Sequence, residues 1–129
     1  MRISCYSHIV AWDVDLSRVW DWYQTLDDKS AALFLAAVTV LREDGPQLGR
    51  PLVDSVSVKG SRHQRMKELR PGSQGRTEIR ALFVFDPQRR AIVLLAGDKS
   101  GQWEKWYKTA IPRADDLFDA HMRELKGKK

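Results

Sequence analysis

Residues 66–107 read MKELRPGSQGRTEIRALFVFDPQRRAIVLLAGDKSGQWEKWY, and their pattern decides the fold. Met66–Arg70 is expected as a short strand, and Pro71–Thr77 as a loop rich in turn residues. Glu78–Asp86 is a second strand, with Ile79, Ala81, Phe83 and Phe85 alternating onto one face. Asp86-Pro87-Gln88 marks a turn, since proline after aspartate favours turn initiation. Ala91–Ala96 is a third strand, wholly apolar. It is followed by Gly97-Asp98-Lys99-Ser100-Gly101 and a tryptophan-rich basic segment ending at Tyr107.

Side chains alternate across a strand. With Ile79, Ala81, Phe83 and Phe85 in the core, Glu78, Arg80 and Leu82 face the other way. By the same alternation, Leu69 in the core puts Glu68 and Arg70 on that second side. The expectation is two arginines on the exposed face of an antiparallel sheet, with Lys99 at the end of the neighbouring strand. One solvated arginine is ordinary on such a face. A cluster joined by Lys99 and Tyr107 points instead to a site.

The 129 residues suit one domain, 43% of them hydrophobic and 30% charged. The lone cysteine, Cys5, excludes a disulfide framework and a cysteine metal site. His8, His63 and His121 are too scattered for metal-ligand spacing, so neither metal nor cofactor is expected. No run is long and apolar enough to cross a membrane, and the N-terminus lacks a signal-peptide stretch, so the expected location is cytoplasmic. Net charge is +5, unevenly spread. Residues 1–58 carry five basic and eight acidic side chains, whereas residues 59–113 carry thirteen basic and five acidic. A localised basic field is the footprint of a polyanionic partner.

Ser7–Trp12 reads as a first strand. Asp15 or Ser17 caps a short helix through Leu26, with Trp20 and Tyr23 on one face. Asp27 or Asp28 caps a second helix, Lys29–Asp44, whose middle, Ala31–Leu41, is apolar almost all round and is expected to be buried. Gly45 and Pro46 end it. The two helices form a hairpin over one face of the sheet. Gln47–Gly60 is a connection in which Val53, Val56 and Val58 form a brief strand or a turn. Ala110–Leu125 has helical spacing, with Pro112 in its first turn; a start near Trp103 would put that proline inside the helix.

The fragments Gly45-Pro46-x-Leu48-Gly49-Arg50-Pro51, Met66-Lys67-Glu68-Leu69-Arg70, Arg80-x-Leu82-Phe83-x-Phe85-Asp86, Leu94-Leu95-x-Gly97-Asp98-Lys99, Trp106-Tyr107 and Ile111-Pro112-x-Ala114-Asp115 occur in an order and spacing that resemble the phage Gp49-like branch of the RelE/HigB toxin superfamily. The resemblance covers about Val10 to Leu125. It implies an α+β, RelE-like fold, with an N-terminal helical hairpin on a small antiparallel sheet and a C-terminal helix. It further implies the toxin of a type II toxin–antitoxin pair, an endoribonuclease that cuts messenger RNA at the ribosome. The implied partners are the messenger, the ribosome and a cognate HigA-like antitoxin of the helix-turn-helix class.

Cleaving RNA without a metal uses the neighbouring 2′-hydroxyl as nucleophile. It needs a base, cations for the charged transition state and an acid for the leaving oxygen. Arginine grips phosphate oxygens with a planar fork. By resemblance, Arg70 and Arg80 take the sheet-arginine places, Lys99 the basic place after the last strand and Tyr107 the tyrosine place near the final helix. Lys67 lies in the strand that carries basic catalytic residues in RelE-like toxins. Several relatives have a histidine in this cluster, and residues 97–107 here have none, which leaves Glu68, His63 and Tyr107 as candidate bases. Tyrosine, with an ordinary pKa of about 10, needs nearby cations to serve. Arg65, Arg76, His63, Lys105 and Trp106 are the expected RNA contacts, with Trp103 and Trp106 available to stack on bases. Two other readings fit the same fold: a non-catalytic inhibitor like the gyrase-poisoning ParE branch, and a plain RNA-binding module.

Overall fold

The structure, a computed structural model, describes residues 12–55, 60–72, 75 and 77–127, with Trp103 described for its backbone alone. Ser7–Ala11, Val56, Val58 and Arg76 lie outside the described residues. Strand β1 is Asp13–Asp15. A 3-10 turn, Ser17–Val19, leads to the short helix α1, Trp20–Tyr23. Helix α2 is Asp28–Asp44, and the two-residue strand β2 is Val53–Asp54. Then follow β3 (Lys67–Leu69), β4 (Ile79–Phe85), β5 (Arg90–Asp98) and helix α3 (Trp103–Gly127). The strands form one sheet in the order β1-β5-β4-β3-β2.

The α+β class and the helix–helix–sheet–helix order agree with the sequence reading, but the sheet is mixed rather than antiparallel. β1 runs parallel to β5, with Asp13 opposite Arg90 and Asp15 opposite Ile92; the other pairings are antiparallel. Among the described residues, the first strand begins after Trp12, whose backbone N–H donates to the Arg42 carbonyl.

Asp27 caps α2, its carboxylate accepting from the Ser30 backbone N–H. Gly45, at φ 63°, closes the helix in the left-handed region. The expectation that Ala31–Leu41 is buried holds for one stripe only. Phe34, Ala37, Val38 and Leu41 enter the core, whereas Leu35 is 40% exposed on the outer face. The helix covers one side of a sheet, so its outer face, Leu35 included, is left exposed.

The largest correction concerns the sheet's second face. On the first face, Ile79, Ala81, Phe83, Ala91, Val93 and Leu69 pack against α2. On the second, Leu82, Val84, Ile92 and Leu94 pack against Ala110, Ile111, Ala114 and Phe118 of α3. That face is therefore covered, not open. Fully burying each aliphatic side chain is worth about 1.5–3 kcal/mol, and four in a row require a lid. Helix α3 starts at Trp103, so Pro112 stands in its interior rather than in its first turn. Pro112 lies on the exposed side, where water can satisfy the carbonyl that the missing N–H leaves free.

Between β4 and β5 the register slips. Leu82 faces Leu95 but Phe83 faces Val93, so Leu94 is an extra residue opposite no partner. Leu94 and Leu95 both join the α3 side. Beyond the bulge the alternation of β5 is inverted, and this positions the site.

Candidate active site

The bulge turns Gly97 and Lys99 toward α3. Arg80 lies opposite Gly97 in the register, Glu68 opposite Leu82 and Asp54 opposite Glu68. Arg70 follows β3, where the same register brings it level with Arg80. Tyr107 reaches the group from the first turns of α3. Five of the six candidate catalytic residues, Glu68, Arg70, Arg80, Lys99 and Tyr107, thus meet at one end of the sheet's second face.

Glu68 is at the centre, with no exposed surface. The Tyr107 hydroxyl donates to its Oε2 at 2.6 Å. Arg70 Nε and Arg80 Nε approach Oε1 at 3.8 and 3.9 Å. Arg80 is 8% exposed; its Nη1 donates to the Ile79 carbonyl at 2.8 Å. Its buried Nε has no hydrogen-bond partner among the described residues. Arg70 also pairs with the buried Asp54 at 3.3 Å, and Asp54 with Arg50 at 3.2 Å. Lys99, 5% exposed, holds its ammonium 5.2 Å from the Tyr107 ring centre. The Lys99 backbone N–H donates to the Glu78 carbonyl, while Asp98 accepts from the backbone N–H groups of Glu78 and Ser100, fixing the turn.

The electrostatics divide the roles. Burial, then the hydrogen bond to Glu68 and the charge of Glu68, push the Tyr107 phenol well above its ordinary value, against the pull of Arg80. The expectation that cations lower Tyr107 into service as a free base is corrected: it stays a proton-bearing phenol. Burial, then the charge of Arg80, push the Lys99 ammonium below the ordinary lysine value, with Glu68 acting in the opposite sense. Lys99 is therefore a readier proton donor than a solvated lysine.

The remaining candidates are elsewhere. Lys67 belongs to the opposite face, its ammonium 5.9 Å from the Phe85 ring centre. Arg65 is beside it, in the cavity both line with Trp12 and Phe85. His63 Nε2 meets Asp119 at 2.9 Å and its ring packs edge-on against Phe118, an anchor for α3. Asp119 is twelve residues along the helix from Tyr107, about 18 Å of rise. Trp106 adjoins the cluster. Its indole is against Gly97, where an added Cβ would come within 2.7 Å of Nε1, and it meets the Tyr107 ring edge-on at 5.1 Å. Lys105 is exposed beside it. Arg76 falls outside the described residues.

Sequence reasoning missed Asp54, which no local signal marks, and Asp98, whose Asx-turn signature Asp98-Lys99-Ser100 was readable. It also missed a buried network at the other end of the sheet. There Asp86 accepts from His121 Nε2 at 2.9 Å and pairs with Arg90 at 3.1 Å, while Arg18 is 3.3 Å from His121 Nδ1. Among the described residues, no cluster of three or more His, Cys, Asp or Glu side chains could hold a metal, and no helix is long and apolar enough to cross a membrane.

Residues 21–119 match the family described as phage derived protein Gp49-like. The chain is similar to "Putative toxin HigB2" of Mycobacterium tuberculosis, with 49% identity over 128 residues, 99% of this chain and 63% of that protein. It is also similar to "Putative toxin HigB3" of the same organism, with 47% identity over 100 residues, 78% of this chain and 83% of that one. The chain thus spans 63% of the length of HigB2. No solved structure matches it significantly.

Proposed function

The chain belongs to the phage-derived Gp49-like family, and from that membership we propose that it is a single-domain, cytoplasmic toxin of a type II toxin–antitoxin pair, a metal-independent endoribonuclease that cuts messenger RNA at the ribosome and so inhibits translation. Its neutralising partner is a helix-turn-helix antitoxin. Two relatives whose names call them HigB toxins support the first half. The catalytic half rests on one arrangement: a half-buried phenol hydrogen-bonded to a fully buried carboxylate, with the Arg80 guanidinium beside both.

Glu68 has no surface of its own, so Tyr107 is the group that meets RNA. The 2′-hydroxyl proton passes to the Tyr107 oxygen as the Tyr107 proton moves to Glu68. The 2′-oxygen attacks phosphorus to give a 2′,3′-cyclic phosphate. The bond from phosphorus to the 5′-oxygen breaks, and Lys99 supplies that oxygen's proton. Arg80, through the outer end of its guanidinium fork, stabilises the charge gathered on the phosphate oxygens, with Arg70 behind it.

Purified protein with ribosomes on a defined message tests this. The expected result is scission leaving cyclic-phosphate ends, unaffected by a chelator. Arg80→Ala is expected to lower turnover about a hundred- to a thousandfold while RNA affinity stays nearly constant. An intact message with wild-type protein removes the nuclease reading, and gyrase inhibition in its place assigns the protein to a ParE-like activity.

A further inference from the structure

The first face of the sheet carries a second concave feature that the cleavage cluster does not use. Trp12, Pro46, Phe85 and Pro87 wall a cavity of about 490 Å³, with Arg65 and Lys67 along it. It is some distance from the cluster: Phe85 is five residues along β4 from Arg80, about 17 Å, and on the opposite face.

Its charges differ in kind from those around Glu68. The cluster's arginines are paired with carboxylates. Among the described residues, Arg65, Lys67 and Arg89 have no carboxylate partner. Instead, Lys67 lies over the Phe85 ring at 5.9 Å and Arg89 over the Trp12 ring at 4.3 Å. Arg89 is held there in the left-handed backbone region, at φ 63°, a conformation that costs a residue with a side chain. Among the described residues, the one acid on the wall is Asp86, which is buried and already engaged by His121 and Arg90, so it does not oppose an incoming anion.

We propose that this cleft binds single-stranded RNA outside the cleavage centre, a base entering between the aromatic and proline walls and its phosphates meeting Lys67, Arg89 and Arg65. Apolar walls with unpaired cations on aromatic rings suit a strand that offers both flat bases and regular negative charge. The proposal rests on the reading of the protein as an RNA-binding toxin, and gives Lys67 a place in it that the cleavage cluster does not.

The test is fluorescence anisotropy of a single-stranded RNA oligonucleotide carrying 2′-O-methyl groups throughout, which lacks the attacking hydroxyl. It is measured against salt for the wild type and the Lys67→Gln/Arg89→Gln double variant, with a thermal melt to confirm folding. The double variant is expected to bind about tenfold more weakly, and its salt slope to be shallower by about 1.4, two lost contacts at about 0.7 each for a single strand. Wild-type affinity with no change in the variant overturns the cleft while leaving the RNA reading intact. No wild-type affinity at all overturns both. A peptide containing glutamate and phenylalanine whose binding disappears in the variant, while RNA binding does not, assigns the cleft to an acidic protein and overturns the proposal.

Discussion

The Tyr107 hydroxyl donates a 2.6 Å hydrogen bond to Glu68, a carboxylate with no contact with solvent. A buried carboxylate needs compensation, and here it comes from this phenol and two arginines at the edge of ion-pair range. Tyr107→Phe preserves the ring and removes the donor. We expect RNA cleavage to fall at least a hundredfold and stability to drop by about 1–3 kcal/mol as Glu68 loses this donor. Ribosomal cleavage measured beside a denaturant titration checks both; full cleavage by the folded variant would discard the relay through the phenol.

Lys99 gives a pH signature. Its folded-state value is below the ordinary 10.5, so between the two values the unfolded chain binds more protons than the native one. Stability therefore rises with pH across that window. Replacing the ammonium by an apolar chain of similar length, Lys99→Met, is expected to raise Tm at neutral pH. That advantage is expected to shrink as pH climbs through the folded value toward 10.5. Cleavage by the wild type should decline over the same window as the proton donor is lost. Melting curves and rates collected from pH 7 to about 10.5 decide it; a constant Tm difference would show that Lys99 carries no such burial cost.

The Asp86–His121 pair predicts acid sensitivity. Burial raises the Asp86 value, but hydrogen bonds from His121 and the Arg90 backbone, with the Arg90 charge, outweigh it and hold the carboxyl below its usual 3.8. Its contribution to stability is complete above 3.8 and is lost as pH falls through the lower folded value. His121→Ala removes one of those donors and is expected to cost about 1–3 kcal/mol. It should also move acid unfolding to higher pH. An unchanged acid midpoint would show the pair to be dispensable.

At Gly97 the Trp106 indole of α3 lies directly against β5. A methyl group there would stand 2.7 Å from Trp106 Nε1, and the adjoining Tyr107 ring would have to follow the indole. Gly97→Ala is expected to cost about 1–3 kcal/mol by overpacking and to reduce cleavage beyond that loss. Trp106→Phe in the same background, giving back space, should restore part of both. Absence of any rescue would place the fault elsewhere than at this contact.

The elements written in local chemistry were legible in the sequence. The alternation of Ile79, Ala81, Phe83 and Phe85, the Asp27 cap and the Gly45 stop all appear where the residues put them. What depended on distant partners was not. β1 pairs with a strand some 77 positions away, Asp13 with Arg90, and no local pattern reports that. Leu82 was visible on the second face, but that α3 would lie over it, and over Val84 beside it, is a tertiary fact. The site was legible as a set of residue types, since Arg70, Arg80, Lys99, Tyr107 and Glu68 do converge. Its electrostatics were not, because burial and the Glu68 contact raise Tyr107 where the nearby cations alone would lower it.

The extra residue opposite the Leu82/Phe83 step divides β5 into two halves of opposite phase. Held in strict alternation with the same residues, β5 would turn Gly97 and Lys99 to the α2 side, and Ala96 would stand where Trp106 needs open space. Every residue of the cluster would remain in the gene, in order, and the cluster would not exist. Removing one codon at Leu94 or Leu95 is the change the site tolerates: it takes out the extra residue and leaves Gly97 opposite Arg80 and Lys99 toward α3. Length and phase are separable in this strand, and the site depends on the phase.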